Sequence, residues 1–232
     1  MKRGPLIAIE GIDGTGKGTQ AQLLVQALEA RGRTVQLFSF PAYQRTLAGS
    51  LIGAYLDGQM GPPRQIDSRL TAVLYALDRF ELKGSIEQAQ KEGVVALCDR
   101  YVGSNLAHQA ARTPQGGRRA LRKMIEDLEF GVFGLPRPDL VVYLDMTDRL
   151  AQERIRQKAA RAYTAKQMDE LEADGAHLRM ALSEYRRQAR TSKGWTLVPT
   201  VSRGGEPRTR EAIHADVVEA IEARGLLWRV RG

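Results

Sequence analysis

The sequence predicts an α/β protein with a central parallel sheet covered by helices on both faces. Three observations carry that expectation. Short apolar runs recur along the chain, they alternate with stretches of helical periodicity, and the first run passes through a glycine-rich turn into an amphipathic helix. Strands of a parallel sheet are buried on both sides, so they read as continuous apolar runs rather than as alternating patterns.

The elements follow in order. Leu6–Glu10 is the first strand. Residues 17–31 place Ala21, Leu24, Val25 and Leu28 on one helical stripe, and Gly32 is placed to stop that helix. Residues 34–40 form the second strand, ended by Pro41. Helices are expected over 46–56 and 68–90, separated by the breaker-rich stretch 57–63. Residues 94–99 give the third strand and 121–130 a further helix. Pro136-Arg137-Pro138 introduces a fourth strand over 140–145. Charged helices over 148–158 and 168–189 flank an irregular stretch at 159–167. Residues 195–199 and 207–224 close the pattern as a last strand and a last helix.

A chain of 232 residues suits one domain, 1–232, with a short insert. The insert is placed at 150–168, where charge is dense and apolar periodicity fades. With 43% hydrophobic and 27% charged residues, the chain is neither disordered nor fibrous. No stretch approaches the roughly 18 apolar residues of a membrane span. The apolar run after Pro5 is too short for a secretory signal and lacks a small-residue cleavage site. The single cysteine, Cys98, allows no internal disulfide and reads as inert core, so a cytoplasmic location is expected. The net charge of +8 is uneven: +2 over residues 1–111 and +6 over 112–232. That surplus suits a phosphate-rich partner or plain solubility, and charge alone does not choose.

The chemistry enters with Gly11-Ile12-Asp13-Gly14-Thr15-Gly16-Lys17. Glycines at both ends let backbone N–H groups turn inward around phosphate oxygens. The helix that follows adds the positive end of its dipole, and the lysine reaches the terminal phosphates. This is a P-loop, so the fold class sharpens to a three-layer P-loop sandwich with a five-stranded parallel sheet and a lid insert. The phosphate-holding stretch runs from Gly11 to Thr19. Its hydroxyl after the lysine is missing: Gly18 stands there, and Thr19 comes one place late. Direct Mg²⁺ ligation by the loop is therefore open, and phosphate oxygens with water are the alternative ligands.

Three further clusters sit where an open parallel sheet binds ligands, at or near the carboxyl ends of strands. They are Phe40-Pro41 with Tyr43, the helix segment carrying Tyr75 and Arg79, and Asp99-Arg100-Tyr101 with Ser104-Asn105. Each has a plainer reading. On periodicity Tyr75 reads as a core aromatic beside Leu70, Leu74 and Leu77. Arg79 reads equally as an ion-pair partner of Asp78 or Glu81, and Asp99-Arg100 as an ordinary strand end. His177 and His214 fit no metal-ligand spacing and read as surface residues.

Taken together, the loop from Glu10 to Thr19, Phe40-Pro41, Asp78-Arg79-Phe80, the run from Asp99 to Asn105, and Pro138-Asp139-Leu140 through Asp145 resemble the thymidylate kinases. The resemblance spans essentially the whole chain. It implies transfer of the ATP γ-phosphoryl to dTMP with Mg²⁺, by a homodimer that needs no nucleic acid or membrane. It implies Tyr75 stacked on the base, Arg79 donating to a pyrimidine carbonyl and Asn105 reading the base edge. Phe40 and Pro41 would wall the pocket, with Tyr43 near the sugar and Ser104 beside Arg100, which would hold the acceptor phosphate. Asp13 would accept from the sugar 3′-hydroxyl, and Asp99 would hold metal-bound water. His108 stands where many relatives carry an aromatic at the sugar 2′ position. Because the loop holds no arginine, the transition-state cation is expected from the lid, from Arg154 first and Arg161 second, with Arg156 and Lys158 close by. Lys17 and Arg100 complete the catalytic set. A kinase for dUMP or another pyrimidine monophosphate, and a P-loop regulatory or nucleic-acid-binding ATPase, are the alternatives. The second rests only on the basic surplus, since no aromatic-interleaved basic tract is present.

Overall fold

The described residues of this computed structural model are 3–161 and 175–226, without the side chains of 155–161. Among them five strands, β1 (Leu6–Glu10), β2 (Val35–Ser39), β3 (Val95–Asp99), β4 (Leu140–Asp145) and β5 (Trp195–Pro199), form one parallel sheet in the order β2-β3-β1-β4-β5. All five stand where the apolar runs place them. β1 is central and completely buried, with Leu6 and Ala8 in one core cluster and Ile7 and Ile9 in another.

Helices α1 (Lys17–Glu29) and α9 (Arg210–Ala223) cover one face. Leu24 and Leu28 of α1 and Ile213, Val217 and Ile221 of α9 pack there on Ile7, Ile9, Val142 and Leu144. Across the other face lie α3 (Ser68–Glu81), α4 (Lys83–Lys91), α5 (Val102–Ala111) and α6 (Arg118–Glu126). Helix α2 (Leu47–Leu56) packs on α3. Helices α7 (Asp148–Arg161) and α8 (Gly175–Thr191) build a third cluster around Ile12 and Tyr143. The expected start of a helix at Met168, and the stretch 162–168 of the lid, lie outside the described residues.

Three departures from the sequence expectation matter. The helix expected over 68–90 divides at Leu82, whose ψ of 0° interrupts the helical path. The division lets α4 turn Ile86 into the sheet core. The helix expected over 121–130 ends at Glu126 and continues as a π turn, Asp127–Val132, which places Glu129 completely inside. Finally, α5 (Val102–Ala111) has no counterpart among the helices that periodicity predicts. It opens with Gly103, Ser104 and Asn105, weak helix formers, and is buried on nearly every side, so it shows no amphipathic stripe.

Helix α2 is fixed by carboxylates of α3. Glu81 accepts from the Leu47 and Ala48 N–H groups at 2.8 and 2.7 Å. Asp78 accepts from the Ala42 N–H at 3.0 Å and from the Thr46 hydroxyl, and the Thr46 oxygen caps α2 by accepting from the Gly49 N–H. These contacts hold the segment after β2 against α3. Gly49 is the tight point: a Cβ there would lie 2.4 Å from the Ala42 carbonyl oxygen. Gly49→Ala is expected to destabilise the fold by about 1–3 kcal/mol through overpacking against backbone. Urea denaturation checks this, and an unchanged midpoint would contradict it.

Candidate active site

The loop after β1 is shaped by its glycines. Gly14 and Gly16 have φ of 81° and 90°, the left-handed region that costs residues with a Cβ. The Thr15 hydroxyl and the Lys17 ammonium both donate to the Ile12 carbonyl, at 2.8 and 2.9 Å, closing the loop on itself. Helix α1 starts with no side-chain cap, leaving its first N–H groups for an anion. Lys17 is buried. Burial first, and then the charge of Arg100, push its pKa down to about 8 against the pull of Asp13, Asp99 and Glu10.

Beside the loop opens a cleft of about 830 Å³ including its mouth. All ten residues that the sequence assigned to an acceptor site line it: Asp13 from the loop; Phe40, Pro41 and Tyr43 from the segment after β2; Tyr75 and Arg79 from α3; Arg100, Ser104, Asn105 and His108 at and beyond the end of β3. Tyr75 is half-buried in the cleft wall rather than part of a core cluster, and Leu70 and Leu77, expected beside it in the core, face outward. The lining also includes residues the sequence reading missed: Tyr55 and Leu56 of α2, Gln109 and Arg112 of α5 and beyond, and His177 and Leu178 of α8. Arg112 donates to Tyr55 Oη at 2.9 Å and to the Pro63 carbonyl at 2.7 Å, tying the segment after α2 to α5. Nothing short of the fold signals that role.

The floor of the cleft is a buried ionic fork. Arg79 does not pair with Asp78 or Glu81, which are occupied on α2. Its Nε and one Nη instead donate to Glu129 at 2.5 and 2.7 Å, both residues being essentially inaccessible. Asn105 is locked beside it: its Nδ2 donates to the Ala72 carbonyl at 3.0 Å and to Glu129 at 2.8 Å. Both partners are acceptors, so the amide cannot be flipped. Its Oδ1 is buried and has no partner among the described residues.

Arg100 bridges the cleft to the loop. It is the one described non-glycine residue with positive φ, 67°. It pairs with Asp13 and donates to the Gly11 carbonyl at 3.3 Å and to Ser104 Oγ at 3.2 Å. The Asp13 carboxyl is held far below the usual range. Burial alone would raise it, but the charges of Arg100 and Lys17 outweigh that. His108 stacks on His177, with Nδ1 to Nε2 3.3 Å, and its Nε2 faces Arg100 at 3.4 Å. Burial, then Arg100 and His177, push the His108 pKa well below the ordinary imidazole value. His177 is thus buried in the site rather than on the surface. His214 is half-buried on α9, with Nδ1 shielded and unpartnered among the described residues, so the surface reading fails there too.

Asp99 ends β3 with Oδ1 buried and unpartnered among the described residues, and its Oδ2 lies 3.3 Å from where a Cβ of residue 18 would stand. A carboxylate thus faces the place where a P-loop usually offers a hydroxyl, a donor set that fits a hydrated Mg²⁺. On the other side α7 packs directly on the loop. A Cβ on Gly14 would lie 3.0 Å from the Ala151 carbonyl, and Arg154 Nη1 stands 3.5 Å from the Gly14 carbonyl oxygen. The side chain of Arg161, like those of Arg156 and Lys158, lies outside the described residues.

Residues 9–197 match the family model described as thymidylate kinase. The thymidylate kinase of Mycobacterium tuberculosis is 37% identical over 156 residues, 67% of this chain and 72% of that protein. The thymidylate kinase of Danio rerio is 28% identical over 228 residues, covering 95% and 91% of the two chains. In fold, the chain is similar to the solved thymidylate kinase of Candida albicans, with TM-score 0.70, 21% identity and coverage of 97% of this chain and 93% of that one.

The fork predicts its own fragility. Glu129→Gln leaves the Arg79 charge buried without a counter-ion and is expected to cost about 3–5 kcal/mol in urea denaturation. A loss under about 1 kcal/mol would show that Arg79 is not held by this pair.

Proposed function

The chain belongs to the thymidylate kinase family, and we propose that it transfers the γ-phosphoryl group of ATP to dTMP, giving ADP and dTDP. The observation that carries the substrate assignment is the Asn105 Oδ1 atom beside Arg79. An acceptor next to a donor complements the N3–H and adjoining carbonyl of thymine. Cytosine presents the reverse order and would leave both buried groups unpaired, which sites of this kind penalise heavily. Tyr75 supplies a stacking face, and Phe40 and Pro41 the wall. Uracil shares thymine's edge, so dUMP is separated from dTMP only by a methyl group, worth roughly 10–200-fold.

Phosphoryl transfer needs positioning and charge neutralisation rather than covalent chemistry. The loop from Gly11 to Thr19 holds the ATP phosphates, and Lys17 turns from the Ile12 carbonyl to the β- and γ-phosphates. Arg100 holds the acceptor phosphate, and Asp13 accepts from the sugar 3′-hydroxyl. Asp99 would hold Mg²⁺ through water, and the bound ion would supply neutralising charge to the phosphate oxygens. Arg154, already over Gly14, is the lid cation, with Arg161 second to it. The chain forms one domain, with α7 as the described part of its lid.

A homodimer is supported by the outward apolar face of α2 and α3, where Leu47, Leu51, Leu70, Leu77 and Phe80 are exposed. The reaction calls for no nucleic acid or membrane partner. Among the described residues no helix is long and apolar enough to cross a membrane. The buried thiol of Cys98 fits a cytoplasmic location.

The test is incubation with ATP, Mg²⁺ and each nucleoside monophosphate in turn. dTDP is expected as the main diphosphate product, dUDP less and dCDP scarcely at all. Free phosphate without a second diphosphate would contradict the assignment. Separately, Arg154→Ala is expected to lower kcat by roughly 10³-fold with small changes in both KM values, as for other transition-state arginines. A kcat within a few-fold of the parent would remove Arg154 from the role.

A further inference from the structure

We propose that Glu10 is a positioning residue for phosphoryl transfer: from β1 it caps the distant helix α5 and thereby sets Arg100 against the acceptor phosphate. The inference rests on the reading of Arg100 given above and concerns a residue to which that reading assigns nothing.

The first N–H groups of a helix need acceptors, normally from a Ser, Thr, Asp or Asn at the cap. Helix α5 has no such residue: Tyr101 stands at its cap position and supplies no side-chain hydrogen bond. The acceptor is Glu10. Its Oε1 accepts from the Tyr101 and Ser104 N–H groups at 2.8 and 3.0 Å. Its Oε2 accepts from Ser104 Oγ at 2.6 Å and from Tyr185 Oη at 3.2 Å. The carboxylate is completely buried, and burial, its largest influence, raises its pKa against these donors. Tyr185 shields it, stacked on Tyr143 with ring centres 5.3 Å apart. Gly103 makes the approach possible, since a Cβ there would lie 2.8 Å from Glu10 Oε1 and 2.8 Å from the Trp195 ring.

The geometry runs onward to the reacting end. Ser104 Oγ, which donates to Glu10, accepts from Arg100 at 3.2 Å, and Arg100 in turn pairs with Asp13. Arg100 precedes the capped Tyr101 and holds a left-handed backbone that only fixed surroundings sustain. Glu10 itself directly precedes the loop at Gly11. One carboxylate therefore locks the strand that delivers the donor loop to the turn that carries Arg100 into helix α5. A shift of about 1 Å between the two is enough to cost on the order of 10²-fold in rate.

The test compares Glu10→Ala, Glu10→Asp and Glu10→Gln by steady-state kinetics in both substrates and by thermal melting. Glu10→Ala removes the cap. Glu10→Asp withdraws it by one methylene. Glu10→Gln keeps a carbonyl oxygen for the two N–H groups, and the neighbouring hydroxyls can turn to accept from its amide. The Ala and Asp variants are expected to raise KM for dTMP about tenfold and to lower kcat by about 10²-fold, with KM for ATP near the parent value. Gln is expected to restore dTMP kinetics to within about threefold of the parent. If Glu10→Ala does not fold, the contrast between Asp and Gln decides. A lowered melting temperature with parental dTMP kinetics in Glu10→Asp would overturn the inference, as would a Gln variant as impaired as Asp. A parent enzyme inactive on dTMP would overturn the underlying reading and this inference with it. A parent active on dTMP with an unaffected Asp variant would overturn this inference alone.

Discussion

The parallel pairing of β1 with β3, which sets Ile9 opposite Asp99, is the constraint on which the site depends. Because the two strands run together and end together, the phosphate loop and the Asp99-Arg100-Tyr101 turn emerge side by side. The Arg100 N–H then donates to the Ile9 carbonyl at 3.0 Å, extending the ladder one step past the strand. On the other side β4 pairs Tyr143 with Glu10, and α7 follows β4 onto Gly14. The glycine-rich loop, the cleft and α7 thus share one edge of one sheet, the place where open α/β sheets hold ligands.

That edge concentrates charge that burial opposes, and the protein balances it internally. Arg100 stands against Asp13, Arg79 against Glu129, and Lys17 against the Ile12 carbonyl and nearby carboxylates. The two guanidinium pairs differ in purpose. The Arg79–Glu129 fork is inaccessible and fixes the Asn105 amide, whose Oδ1 is left without a partner among the described residues. The Asp13–Arg100 pair borders the cleft and is only partly buried. Charges already desolvated and oriented need little rearrangement when substrate arrives, the condition under which electrostatic stabilisation is most effective.

Much of this was legible in the sequence, for physical reasons. Buried strands announce themselves as apolar runs, and the P-loop glycines are dictated by backbone conformation. The short clusters at Phe40, Arg79 and Arg100 all fall into one cleft. The rest was hidden because its signal is spatial. Helix α5 supplies Ser104, Asn105, His108 and Gln109 to the cleft yet has no exposed face to give a periodic pattern. Glu129 continues the buried side of α6, four residues after Ile125, but nothing in the local pattern names Arg79, 50 residues away, as its partner. Glu10 acts across 91 and 94 residues of sequence, at Tyr101 and Ser104. His177 meets His108 across 69 residues, and without that contact it resembles any polar residue on a charged helix.

In this site cationic groups stand desolvated and partly neutralised, a state that nucleotide phosphates would complete. Lys17 offers the sharpest test. With its free pKa pushed down to about 8, the lysine is largely unprotonated at about pH 8.5, while the negative charge of a bound triphosphate restores its proton. Isothermal titration with ATP and Mg²⁺ in buffers of different ionisation enthalpy reads that exchange. Uptake of a substantial fraction of a proton is expected near pH 8.5. The uptake should shrink as pH falls toward about 7, where the lysine is protonated both free and bound. No uptake near pH 8.5, or release of a proton there, would contradict it.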